Sequence, residues 1–95
     1  MPWNAVQLPN LIAAMNECDL IGMVAFRNLY GAYREARDLH MYLGERGPYE
    51  ARPLLAAAHA NLDPEGVHIG PSAFKDGDAH EFLRQRFGYR PVKIT

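Results

Sequence analysis

The sequence predicts a small α+β domain whose elements follow the order α-α-β-β-α-α-β. Apolar residues recur at helical spacing in four segments, an alternating apolar and polar pattern spans residues 39–43, and glycine or proline separates most of the segments. The chain has 95 residues, of which 48% are hydrophobic. This length and composition predict one globular domain, residues 1–95, and exclude large folds such as a barrel or a kinase.

The first third of the chain predicts two short helices. Leu8, Leu11, Ile12 and Met15 recur at helical spacing and predict a helix over about 9–18, with its proline in the tolerated first turn. The polar run 17–19 is expected to end or bend this helix, and a turn or close packing point is expected at residue 22. A second apolar run predicts a helix over about 22–30 that packs on the first as a hairpin.

The spacing of the apolar residues then changes from a helical period to the alternation of a strand. Leu39, Met41 and Leu43 alternate with His40 and Tyr42, which predicts a strand with one buried face. Residues 44–47 have the composition of a turn. Residues 48–51 are expected to form a short returning strand, at an edge of the sheet or beginning at its proline.

Two further helices and a last strand complete the domain. The alanine- and leucine-rich segment predicts a helix over about 52–61, and residues 63–73 are rich in loop-forming residues. A last helix is predicted over about 77–87, because Asp76 and Asp78 suit its cap and first turn. Gly88 is expected to stop it, and residues 89–94 to form a strand.

Several classes of function find no support in the composition. Cys18 is the single cysteine and is expected to be a small buried side chain, so no disulfide framework or cysteine-based zinc site is predicted. The four histidines form no metal-binding spacing, and we predict no cofactor, metal or catalytic residue. No signal peptide or membrane-spanning run is recognised, so a soluble cytoplasmic protein with no membrane partner is expected.

The residues that point most directly to a function are cationic. Arginine outnumbers lysine eight to two. Arg52 and His59 fall on one face of the predicted third helix, and Arg52 lies near its start, where free N–H groups favour an anion. Lys75 and Gly77 open the fourth helix in a similar way, and Tyr49 lies beside these cations, where an aromatic side chain suits a nucleic-acid contact. The structural alternatives are a surface pair of Arg52 with Glu50 or Glu45, and a Tyr49 that covers the core edge of the hairpin.

A set of ordered segments then resembles a known family. Residues 49–59 resemble a family segment that reads approximately Y-D-S-K-A-I-V-G-A-A-H, and residues 74–79 resemble F-S-G-G-E-A, followed by a helix that ends in L-G-F. Residues 14–22 resemble A-M-x-E-x-D-x-x-G, and residues 26–31 resemble F-L-x-x-Y-G. The family is the N-terminal head domain of McrA-like (ScoMcrA-like), modification-dependent HNH restriction endonucleases, and the resemblance runs from about residue 11 to 92. The chain departs from it where the family lysine is Arg52 and where Lys75 and Asp76 stand in the F-S-G-G step.

The resemblance implies a DNA-binding module of a type IV restriction or related defence system. In that family the head domain precedes domains that read modified DNA and a C-terminal HNH nuclease. Some relatives read 5-methylcytosine and others read phosphorothioate links. The expected partners are double-stranded, modified DNA and further domains of the same enzyme. The expected DNA-binding residues are Tyr49, Arg52, His59, Lys75 and Gly77, with Arg52 and Lys75 on phosphates and His59 either at the interface or buried.

Two alternatives to DNA binding belong to other classes of function. The first is a protein-interaction or oligomerisation module, with an apolar patch formed by Trp3, Leu8 and the first helical hairpin. The second is a small enzyme that uses His59 and Asp78 as acid and base, for which the sequence shows no nucleophile.

The net charge of −1 conceals an uneven distribution along the chain. Residues 1–24 and 53–74 carry only acids, whereas all ten cations lie in residues 25–52 and 75–95. The distribution is compatible with one DNA-facing side on an otherwise acidic domain.

Overall fold

The computed structural model describes residues 3–30, 39–65 and 78–93, and it has the predicted α+β architecture. Two helices, α1 (Leu8–Ile21) and α2 (Met23–Tyr30), precede a hairpin of two strands, β1 (Leu39–Leu43) and β2 (Arg46–Tyr49). Helix α3 (Ala51–Leu62), helix α4 (Asp78–Phe87) and strand β3 (Arg90–Lys93) follow. The predicted order of elements is therefore confirmed, and the predicted loop at 63–73 lies mostly outside the described residues.

Helix α1 continues past the polar run that was expected to end or bend it. It ends instead at Gly22, whose φ of +90° lies in the left-handed region that favours glycine. The Gly22 N–H donates to the Cys18 carbonyl, and its own carbonyl accepts from the Phe26 N–H in α2. One residue therefore separates the two helices, and the prediction of an earlier end was wrong.

Helix α3 lies at the centre of the domain. Its first eight residues are all buried, and it contacts α1, α2 and α4. Three consecutive alanines in this helix let its neighbours approach closely, because their side chains are small. At its far end Asn61 and Asn10 form two hydrogen bonds, which fix α3 against the start of α1.

The three strands form an antiparallel sheet in the order β2-β1-β3, which makes β2 and β3 the edges. Both edge strands contain a proline, which has no N–H. In an edge strand this removes no ladder hydrogen bond when that backbone position faces away from the neighbouring strand. Strand β3 follows α4 directly: the N–H groups of Gly88 and Tyr89 donate to the carbonyls of Arg84 and Leu83. Gly88 therefore stops α4, as predicted.

Trp3, which was predicted from the sequence to join an apolar patch for a partner, lies in the core. It is buried, so it contributes nothing to an exposed patch. Cys18 is also buried, as predicted, and the Tyr89 hydroxyl donates to the Met15 sulfur at 3.0 Å within the same core.

No described helix has the length and apolar composition needed to cross a membrane.

A pair of leucines in α1 tests this account of the core. Leu11 is fully buried, whereas Leu20 is 84% exposed. We expect Leu11→Ala to lower the free energy of unfolding by about 2–5 kcal/mol through lost contacts and a cavity. Leu20→Ala, the matched control in the same helix, should change it by less than about 0.5 kcal/mol. Urea unfolding followed by circular dichroism measures both, and equal losses would contradict the placement of α1.

Candidate nucleic-acid interface

Tyr49 is part of the core rather than of the surface. It pairs with Met41 across the hairpin and is 2% exposed, and its hydroxyl donates to both carboxylate oxygens of Asp19 at 2.9 and 3.0 Å. Burial, followed by this hydrogen bond, raises the pKa of Tyr49 to about 12. The structure thus places Tyr49 at the core edge of the hairpin, and in this conformation its ring has no exposed face on which a base could stack.

Arg46 completes the attachment of the hairpin to α1. Its guanidinium donates to Asp19 Oδ2 at 2.8 Å and to Asn16 Oδ1 at 3.0 Å. The ion pair is largely exposed and contributes little by itself, because solvent screens it. Its role is geometric: together with the Tyr49 hydroxyl it holds β2 over α1.

Arg52 and His59 lie on one face of α3, as the spacing predicts. Seven residues separate them, which corresponds to about 10 Å along the helix axis. Arg52 is only 8% exposed, so it offers little surface to a phosphate in this conformation. The carboxylate of Glu50, its suggested surface partner, accepts a hydrogen bond from Arg27 Nε at 2.7 Å. Lys75 and Gly77 lie outside the described residues.

His59 and Asp78, the residues of the enzyme alternative, each have one buried atom without a hydrogen-bond partner. These atoms are Nδ1 of His59 in α3 and Oδ2 of Asp78 at the start of α4. No hydrogen bond joins the two side chains. Within the described parts of the chain, no three histidine, cysteine or acidic side chains lie close enough together to hold a metal ion.

The side of the domain around Cys18 is acidic. Burial, then the nearby carboxylates of Asp19, Glu50 and Glu17, raises the pKa of the Cys18 thiol to about 11. Each of these acids accepts a hydrogen bond, and Glu17 accepts one from the Tyr30 hydroxyl. Arg27 and Arg46 pair with two of these three acids, so this side has no excess of positive charge among its described residues to offer a phosphate.

The cations at the end of the chain have a different environment. Arg84 pairs with Glu81 one helical turn earlier, at 2.8 Å. By contrast, Arg86, Arg90 and Lys93 have no carboxylate within 4 Å among the residues that the structure describes. Arg86 lies 5.8 Å from the centre of the Phe82 ring and lines an open pocket at this end of the domain. The charge of these three side chains, which we call the terminal cations, is not neutralised by a described neighbour.

One terminal cation lies beside an aromatic side chain on the sheet. Arg90 is directly opposite Tyr42 on neighbouring strands, and its guanidinium carbon is 5.1 Å from the ring centre. Met41 and Tyr49 are buried on the inner side of the sheet, so Tyr42, Arg90, His40 and Val92 lie on the other side, which we call the outer sheet face. Tyr49 was the aromatic contact predicted from the sequence, although the alternation in β1 already placed Tyr42 on the face opposite the core.

Gly47 explains how the Tyr42 ring fits on this face. A Cβ atom at Gly47 would lie 2.5 Å from Cδ2 of the ring and 2.9 Å from two further ring carbons. The ring therefore packs against the backbone of the edge strand at a position where only glycine leaves room.

Comparison with known proteins identifies the class of this domain. The family model of the ScoMcrA-like N-terminal head domain matches residues 4–90. The chain therefore belongs to this family, and the resemblance found in its residues is confirmed. The family is one of restriction-type defence enzymes. No curated protein and no solved structure matches the chain.

The Tyr49–Asp19 hydrogen bond is testable by removing a single oxygen. We expect Tyr49→Phe to lower the free energy of unfolding by about 1 kcal/mol, because Asp19 loses a donor and the ring stays in place. Tyr42→Phe is the matched control, since no described residue bonds the Tyr42 hydroxyl. Urea unfolding of the two variants measures the difference, and equal midpoints would disprove a structural role for this hydroxyl.

The raised pKa of Cys18 predicts a loss of stability in alkali. The folded state keeps the Cys18 thiol proton, which the unfolded chain releases above pH 9. The stabilising contribution of the protonated thiol is therefore complete below pH 9.0 and is lost as pH rises towards about 11. Urea midpoints across this range should fall for the wild type and fall less for Cys18→Ala, which has no thiol to ionise. Parallel profiles of the two proteins would contradict the assignment.

Proposed function

We propose that this domain binds DNA as the head module of a restriction-type defence enzyme, and that the terminal cations contact the phosphate backbone. The observation that carries the proposal is positive charge that is not neutralised: the acids around Cys18 are engaged, whereas Arg86, Arg90 and Lys93 have no carboxylate partner among the residues that the structure describes. Phosphate binding needs cations whose charge is not already neutralised. Membership of the ScoMcrA-like head-domain family supports the same role.

We further propose which ligand and partners this head module has. The ligand is double-stranded DNA that carries a modified site, such as 5-methylcytosine or a phosphorothioate link, and the partner domains are those of the same enzyme. The module binds and does not itself catalyse, and it acts on DNA in the cytoplasm. Contacts by Arg52, His59, Lys75 and Gly77 stay predictions, and contact by Tyr49 requires that its ring leave the core.

Salt dependence of binding tests the phosphate contacts. Fluorescence anisotropy with a labelled duplex should give an affinity that falls as salt rises. Replacing Lys93 or Arg90 with glutamine should weaken binding to all duplexes and reduce the salt slope by about one per lost contact. Arg84→Gln is the matched control, because it removes the same charge from a cation that Glu81 already pairs.

Two outcomes would overturn this proposal. One is binding that ignores salt, or its absence at micromolar protein. The other is an equal loss in the Arg84→Gln control, which would mean that net charge and not the terminal cations sets the affinity. Duplexes with and without each modification, measured in the same assay, show whether the head domain itself distinguishes them.

A protein-interaction role is the second candidate, and one observation favours it. Leu20, Val24 and Leu29 are large apolar residues that are mostly exposed on α1 and α2. Trp3 is buried and takes no part, which corrects the patch expected from the sequence. A stable dimer of the free domain in size-exclusion chromatography, without affinity for DNA, would favour this role.

A further inference from the structure

The outer sheet face places an aromatic ring beside a guanidinium, and contacts to the DNA backbone alone do not require the ring. Phosphate contacts need charge, and exposed arginine and lysine side chains supply it wherever they stand. Tyr42, however, is half-buried in the middle strand, with Arg90 directly beside its ring. An aromatic ring beside an exposed guanidinium is suited to a flat, apolar ligand that is attached to a negative charge.

The ring is held in place before any ligand arrives. Gly47 leaves the space that the Tyr42 ring occupies, and the central position of β1 fixes its backbone on both sides. A ligand that stacks on such a ring loses less free energy to ordering the side chain than it would on a mobile surface tyrosine. Arg90 is exposed and keeps the freedom to move from the ring to a phosphate.

We propose that Tyr42 and Arg90 bind one unstacked base of a DNA strand together with its phosphate. The inference rests on the proposed function and names the part of DNA that this face takes. The occupant follows from charge complementarity: Arg90 stands directly beside the Tyr42 ring and has no carboxylate partner among the described residues, so the ligand carries negative charge next to its ring. A paired base inside a duplex exposes no face to the protein, so a locally unpaired strand is the preferred ligand.

Two DNA ligands of the same sequence separate this inference from the proposed function. One is a fully paired duplex and the other carries a single unpaired 2-aminopurine. We expect the wild-type domain to bind the second about 5- to 150-fold more tightly, which corresponds to one stacked base, and to quench the 2-aminopurine fluorescence on stacking. Binding to both duplexes with equal affinity and without quenching would overturn the inference and leave the proposed function intact. Binding to neither would overturn the proposed function itself.

Variants of Tyr42 provide the second readout. Tyr42→Leu should lose the preference for the unpaired base, a change of about 5- to 150-fold in affinity for that ligand, because one stacked base is lost. It should leave the affinity for the paired duplex unchanged. Tyr42→Phe keeps the ring and should retain both the preference and the quenching.

A further variant covers the case in which Tyr42→Leu fails to fold. Arg90→Gln keeps the ring over Gly47 and should lower the affinity for the unpaired-base ligand while the quenching persists. Full displacement of that ligand by polyglutamate, which has charge but no bases, at an equal concentration of charges would show that the face takes any polyanion, and would overturn the inference.

Discussion

Burial of the first two turns of α3 is the constraint on which the rest of the structure depends. A short chain has a thin core, and this one places a single helix at its centre so that three other helices share it. The small alanines bring the neighbouring helices close, and the asparagine pair at the end of α3 sets its position along α1. Packing fills these inner positions, and the residues proposed to bind a ligand lie on the outer surfaces of the described domain.

The hairpin is attached to this core by a few polar contacts rather than by a large apolar surface. The Tyr49 hydroxyl and Arg46 meet on Asp19, and Arg27 meets Glu50 where β2 passes into α3. The acids near Cys18 are engaged in this attachment, and Arg27 and Arg46 neutralise two of them. Arg86, Arg90 and Lys93 take no described part in it, so their charge stays available to a ligand.

The helices and strands could be predicted from the sequence alone, but several of the contacts between them could not. Local periodicity predicted all four helices and the strands, because apolar spacing and glycine stops act over a few residues. The end of α1 was placed too early because Asp19 has its partner thirty residues away, in a hairpin that no local pattern reveals. The alternation in β1 assigned Tyr42 to the outer face, but Tyr49 could be assigned to the core only once its pairing with Met41 was known. The family resemblance, by contrast, rested on the order of several segments and was confirmed over nearly the whole chain.

Both edges of the small sheet carry features that discourage a second copy from extending it. Pro48 lies in β2, and β3 carries Pro91 between Arg90 and Lys93. Proline and charge on an edge strand oppose strand addition, which would otherwise lead to aggregation. The side chains that are proposed to meet DNA therefore also oppose edge-to-edge pairing of two copies. Selection for tighter or weaker DNA binding at this edge would act on that protection at the same time.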